Sequence, residues 1–192
     1  MAKLYFYYAS MNAGKSSTLL QADFNYRERG MNTMLWTSAM DTREGHGRIG
    51  SRIGLEAEAF AFSDDASILA TVMRECGKRT VDCLLVDEAQ FLTSAQVWQL
   101  AHLADEGDIP VICYGLRTDF QGALFPGSAA LLGIADKLIE MKAVCECGRK
   151  ATMNLRVDAQ GNAVKEGAQT EVGGNDRYVA LCRKHFSQAL AR

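Results

Sequence analysis

The chain has 192 residues, with 21 Lys+Arg against 23 Asp+Glu and a formal charge of −2, so it has no basic excess with which to coat nucleic acid. A hydrophobic fraction of 48% with a charged fraction of 23% fits a soluble globular chain and excludes disorder or a coiled coil as the main state. The apolar run Leu4 to Ala9 is too short for a signal sequence or a membrane span; the expected compartment is the cytoplasm, where the six Cys read as metal ligands or core thiols rather than a disulfide framework.

In chain order, Lys3-Leu4-Tyr5-Phe6-Tyr7-Tyr8 is a short apolar and aromatic run that reads as a buried strand of a parallel sheet. Residues 16 to 29 contain neither Pro nor Gly, and Leu19, Leu20, Phe24 and Tyr26 recur at roughly helical spacing. Gly30 stands where a left-handed residue would close that helix. Thr33 to Thr37 predicts a second strand, and Val81 to Val86 another buried one that ends in Asp87-Glu88. Thr93 or Ser94 can cap a helix whose Val97, Leu100, Ala101 and Ala104 fall on one face, with Gly107 as its stop. Ile109 to Tyr114 starts a further strand, with Pro110 near its first position. Such alternation predicts an α/β core with a mostly parallel sheet over residues 1–142. After about Lys142 the texture changes to a Gly- and Cys-containing segment with little helical periodicity until Arg183 to Leu190, and residues 143–192 read as a small second domain. Cys76, Cys83 and Cys113 look like fillers of a helix and two strands.

Between the first strand and the first helix, Ala9-Ser10-Met11-Asn12-Ala13-Gly14-Lys15-Ser16 follows the P-loop pattern with Ala in place of its first Gly. Backbone N–H groups of such a loop and the helix N-terminus form an anion cradle, Lys15 reaches the β- and γ-phosphates, and Ser16 can ligate Mg²⁺. The triplet Gly-Lys-Ser alone would also fit a strand–turn–helix with an exposed Lys; its placement carries the reading. Leu84-Leu85-Val86-Asp87-Glu88 then delivers two carboxylates to the carboxyl end of a strand, where α/β sheets bind ligands. Asp87 is the expected Mg²⁺ partner, and Glu88 is free to take a proton from whatever attacks the γ-phosphate. Two acids in a row also suit a solvated strand end, but with a P-loop upstream they point to phosphate-bond chemistry. These motifs leave open whether the attacking oxygen belongs to water or to a hydroxyl.

Cys145-Glu146-Cys147 and Cys182-Arg183-Lys184-His185 offer two close pairs of ligands at the ends of a segment with little core of its own. A Cys₃His set suits a closed tetrahedral structural Zn²⁺. Reduced core thiols fit less well, because Arg149, Lys150, Arg183 and Lys184 crowd these positions. The polar, Gly-containing stretch Glu166 to Tyr178 between the pairs can be a bland loop or a lid, and Tyr178 after it could lie against a base or sugar.

Ala9 to Ser16, Asp87-Glu88-Ala89-Gln90-Phe91, Tyr114 to Phe120, the Cys₃His set and Val172-Gly173-Gly174 to Tyr178 together resemble the type II thymidine kinases in their bacterial cytosolic form, over nearly the whole chain. The resemblance implies a RecA-like P-loop core with a zinc-containing lasso domain over the nucleoside. It also implies transfer of the γ-phosphate of ATP to the 5′-hydroxyl of thymidine, a homotetramer, and dTTP as a feedback inhibitor. By position it makes Glu88 the general base, with Lys15 and Arg43 beside the reacting phosphate, and adds Ala89 and Gln90 to the loop residues, Asp87 and Glu88 at the ATP site. It places Met11, Phe120, Val172, Gly173, Gly174 and Tyr178 around the nucleoside, with Asp41 as a further substrate contact near the reacting phosphate beside Arg43, and Cys145, Cys147, Cys182 and His185 on zinc. Ala9 and the Cys-x-Cys spacing depart from the family's frequent Gly and Cys-x-x-Cys.

Two other classes share some of these residues. A RecA-like ATPase would use Glu88 on water, although the charge of −2 suits movement along nucleic acid poorly. A zinc module for nucleic acid would leave the P-loop idle. The basic stretch from Arg27 to Arg52 reads as solvated surface apart from Arg43, and His46 and His102 receive no role.

Overall fold

The computed structural model describes residues 1–43, 45–170 and 177–191. Six strands form one sheet: β1 (Leu4–Ala9), β2 (Thr33–Ser38), β5 (Phe60–Phe62), β6 (Cys83–Val86), β7 (Val111–Leu116) and β8 (Lys137–Glu140). Their order across the sheet is β5-β2-β6-β7-β1-β8, and every neighbouring pair is parallel. The expected mostly parallel sheet is thus parallel throughout among the described residues, as suits strands buried on both faces.

Side chains alternate across this sheet into two cores. One face packs Leu4, Phe6, Trp36, Leu84, Val86 and Val111 against α2 (Ile68–Cys76), α3 (Ser94–Asp105) and α4 (Pro126–Ile134). Leu35, Leu85 and Tyr114 face the other way, toward α1 (Lys15–Glu28) and the hairpin of β3 (Arg48–Gly50) with β4 (Glu56–Glu58). A third, smaller cluster of Ala143, Cys145, Ala151, Leu155, Leu181, Cys182 and Phe186 is built from two antiparallel pairs and a helix. The pairs are β9 (Ala143–Val144) with β10 (Lys150–Ala151), and β11 (Met153–Arg156) with β12 (Tyr178–Leu181); α5 (Arg183–Ala191) closes them. No helix among the described residues is long and apolar enough to cross a membrane.

The elements with strong periodicity lie where the pattern puts them, and the face of α1 is the exception. Phe24 is 60% exposed, while Asp23 is buried and accepts hydrogen bonds from Thr33 and from Arg27 Nε. A carboxylate that ties the helix to β2 therefore takes a core-facing place that apolar spacing assigns to a hydrophobe. Gly30, at φ 75°, closes α1 as expected. Cys83 and Cys113 are fully buried, and burial pushes the Cys83 thiol up to about 11, which leaves it an inert filler.

At the start of α3, Thr93 and Gln96 form a reciprocal cap: the Gln96 amide donates to Thr93 Oγ1 at 3.2 Å and the Thr93 amide to Gln96 Oε1 at 3.0 Å. Gln96 Nε2 also reaches the Ser63 and Ala66 carbonyls, fixing the approach to α2. Thr93→Ala is expected to cost about 1 kcal/mol, seen as a fall of about 2–4 °C in Tm by thermal melting.

Candidate active site

Because all six strands run the same way, the segments after β1, β6 and β7 meet at one edge of the sheet, around a cavity of about 590 Å³. After β1 the chain turns through Asn12 (φ 64°) and Gly14 (φ 78°). Those left-handed residues curl the loop so that α1 starts directly behind it. Lys15, 9% exposed, donates from Nζ to the Ser10 carbonyl at 3.0 Å. Burial pulls the Lys15 ammonium below its usual range while Glu88 and Asp87 act to raise it.

After β6, Asp87 and Glu88 both reach this cavity, which successive residues of an extended strand would not do. Glu88 has φ 51° and ψ 35° and leads into a 3₁₀ turn, Ala89–Phe91. Asp87 Oδ2 accepts from Ser16 Oγ at 2.7 Å and Oδ1 from the Glu88 amide at 3.0 Å. The Glu88 carboxylate accepts from Arg43 at 2.5 Å and from the Gln90 side-chain amide. Arg43 in turn grips Asp41 through two hydrogen bonds of 2.7 Å. Burial pushes Asp41 up, but this guanidinium wins and holds the carboxyl below its usual range.

The opposite wall includes Met11, Phe120, Asn154 and Tyr178. Arg156, only 3% exposed, lies with its guanidinium 3.8 Å from the centroid of the Phe120 ring and 5.4 Å from that of Tyr178. Its Nε donates to the Tyr178 hydroxyl at 3.0 Å and a terminal nitrogen to the Ala168 carbonyl at 3.0 Å. Asn154 accepts from the Met11 amide at 2.7 Å and donates to the Thr118 carbonyl at 3.1 Å, so β11 is bonded directly to the P-loop. Asn154 and Arg156 were not legible as site residues. Polar residues in a short segment without apolar periodicity carry no sign of burial, whereas both of these side chains are buried.

Met11, Asn12, Ala13, Gly14, Lys15, Ser16, Asp41, Arg43, Asp87, Glu88, Gln90, Phe120 and Tyr178 all line the one cavity. Ala9, Ser10 and Ala89 are buried behind its wall. Val172, Gly173 and Gly174 lie outside the described residues.

Cys145, Cys147, Cys182 and His185 converge elsewhere, with their ligand atoms all within 4.8 Å of one another. Cys147 Sγ is 3.9 Å from Cys182 Sγ, and Cys145 Sγ is 3.4 Å from His185 Nδ1. Ligands of tetrahedral Zn²⁺, with bonds of about 2.0–2.3 Å, sit roughly this far apart, so the donor set fits that metal.

Burial first and the Glu88 charge second push Asp87 up to about 7, against the opposing hydrogen bond from Ser16. Its folded pKa then exceeds its unfolded value of about 3.9. Between those values the native state binds the extra proton, so stability falls as pH rises from about 4 through 7. Without nucleotide and divalent cation, Asp87→Asn is expected to gain Tm relative to wild type as pH is raised from 5 to 8; thermal melts of both proteins across that range check the trend.

The thymidine kinase family model matches residues 2–186. The thymidine kinase of Novosphingobium aromaticivorans is 68% identical over 192 residues, covering 100% of both chains. That of Zymomonas mobilis is 61% identical over 190 residues, covering 99% of this chain and 98% of its own, and that of Vibrio cholerae is 56% identical over 192 residues, again covering 100% of both chains. A nucleotide-type cavity at the carboxyl edge of a parallel sheet, a family match over nearly every residue and full-length relatives agree: the chain belongs to the thymidine kinase family.

Proposed function

We propose that this chain transfers the γ-phosphoryl group of ATP to the 5′-hydroxyl of thymidine, giving dTMP, with Glu88 as the general base. One observation carries the reading: a single cavity joins an anion-cradling loop, a carboxylate on a fixed turn and a pocket with aromatic walls. Those three parts match a triphosphate tail, a hydroxyl to be deprotonated and a planar base. Ala9 to Ser16 with Asp87, Ala89 and Gln90 form or back the ATP side. Met11, Asp41, Phe120 and Tyr178 form the nucleoside side, completed by Val172, Gly173 and Gly174.

Bound at that site, thymidine would present its 5′-oxygen to the γ-phosphorus in line with the departing β–γ bridge oxygen. As the new O–P bond forms and the bridging bond breaks, the hydroxyl proton passes to the Glu88 carboxylate. Arg43 touches Glu88; it and Lys15 would offset the charge of the transferring group. Ser16 Oγ and Asp87 offer hard oxygen donors on the cavity wall that suit Mg²⁺, which when bound neutralises charge on the β- and γ-phosphates.

Residues 143–192 are the part we assign to covering the nucleoside, with Cys145, Cys147, Cys182 and His185 holding a structural Zn²⁺. Exclusion of water by that cover separates phosphoryl transfer to a hydroxyl from hydrolysis. A RecA-like ATPase shares the loop and Glu88 but has no use for the Phe120 and Tyr178 walls. A thymine nucleoside triphosphate, dTTP, would span both halves of the cavity and so suit feedback inhibition. Phe24 and Trp98, each 60% exposed, offer apolar surface for the homotetramer we expect. No nucleic acid or membrane partner enters this reading, and the cytoplasm, where ATP is made, is the compartment it implies.

The four deoxynucleosides, each incubated with ATP and assayed for the monophosphate, test the reading directly: thymidine should be the best acceptor, and ADP release that ignores every nucleoside would refute it. Glu88→Gln is expected to lower kcat by about 10²–10⁴ with the KM for ATP little changed; near-normal turnover would remove Glu88 as base. Cys182→Ser should lose zinc by elemental analysis and raise the KM for thymidine, while circular dichroism still shows the folded α/β core.

A further inference from the structure

The turn that carries Glu88 lies between two glycines distant in sequence. On one side is Gly127, at the second position of α4. A Cβ there would lie 2.9 Å or less from the carbonyl oxygens of Ala89, Leu92 and Gln90, a separation that real side chains do not adopt. On the other side is Gly115 of β7, where a Cβ would come within 3.0 Å of both the backbone nitrogen and Oε1 of Gln90. Neither position needs the left-handed backbone that favours glycine, since neither has a positive φ. Within a helix, Gly also costs conformational freedom that Ala would not. The absence of a side chain is what the packing uses.

α4 has little room to yield. Phe125, at its cap, is buried against the edge of Phe91 with ring centroids 5.7 Å apart, and Ser128 Oγ donates to the Leu116 carbonyl at 2.5 Å. Displacement would therefore fall on the 3₁₀ turn. Its effect would reach the reacting group by a short route. Gln90, inside the turn, donates from Nε2 to the Glu88 carboxylate and accepts at Oε1 from the Leu116 amide at 3.0 Å. Moving Gln90 moves one of the two side chains that hold the Glu88 carboxylate and, through the chain, Ala89, which directly follows its left-handed backbone.

We propose that Gly127, with Gly115 opposite, is a positioning residue for Glu88: the two glycines form the slot that sets the height and orientation of the turn on which the base is mounted. This inference rests on the assignment of Glu88 as base. It adds that part of the turnover rate is set by a residue 39 positions from Glu88 in sequence that lies outside the cavity wall.

The test is a double-mutant cycle on the full-length protein, with ATP and thymidine. Gly127→Ala is expected to lower kcat by about 10- to 100-fold, as misplacement of a reacting group by an ångström can do, with the KM for ATP unchanged. In a Glu88→Gln background the same substitution should change the residual kcat by less than about twofold, because there is no longer a base to misplace. Gly133→Ala, on the same helix where a Cβ meets nothing within 4 Å, should leave activity as it is. Where Gly127→Ala does not accumulate as folded protein, Gly115→Ala, which intrudes less, decides alone by the same cycle with a smaller loss. Equal losses in both backgrounds, or wild-type turnover in the glycine variant, overturn the proposal. A Glu88→Gln protein with near-normal kcat overturns the base assignment instead, so the two failures are told apart.

Discussion

The backbone at Glu88, left-handed at φ 51°, is the conformation from which the site is built. For a side-chain-bearing residue it costs about 1–2 kcal/mol, and it ends β6 in a way an extended chain could not. Asp87 and Glu88 would otherwise point to opposite faces. Here one meets the loop that begins α1 through Ser16 and the other meets Arg43 and Gln90. The Glu88 amide donating to Asp87 Oδ1 and the packing of the turn on α4 offset the strain. The distance between the phosphate cradle and the carboxylate at its side follows from this one turn.

The charges of the cavity are paired internally. Lys15 rests on a carbonyl of its own loop, and Arg43 lies between Asp41 and Glu88. Buried charges require such partners. Asp87 is the group least well compensated, since burial and the neighbouring Glu88 both work against its ionised form. A divalent cation beside it would reverse that balance.

The part of the chain that carries the Cys₃His set is bonded to the loop before α1 and to the aromatic wall. Asn154 and Ser10 join it to the P-loop, and Arg156 holds Phe120 and Tyr178 in one stack. Its own apolar cluster is small, and the Cys-containing pairs at its ends form a donor set of the kind that, with a metal bound, supplies folding free energy to domains with little buried surface. Because that wall is bonded to the loop before α1, the geometry of the two sides of the cavity is linked.

Legibility in the sequence followed how local the physics is. The loop before α1, the acids after β6, the cap of α3 and each half of the Cys₃His set depend on neighbours a few residues apart, so their letters predict them, whereas the two halves of that set are brought together by the fold. α4, with its Gly-rich Pro126–Ile134, and the three-residue strands β3 to β5 lack any sustained period, and only packing against the sheet makes them regular. Asp23 and Phe24 exchange the places that apolar spacing gives them because a tie to Thr33 outweighed one buried ring. Sequence by itself determined which chemical groups the chain carries and the order of strand, loop and helix that exposes them. Only the tertiary structure decided that Asn154 lines the cavity with Arg156 buried against Phe120 and Tyr178, and that Gly115 and Gly127 flank the turn that carries Glu88, because those facts are contacts between segments far apart in the chain, and the strand order that creates them is set by burial of the whole sheet.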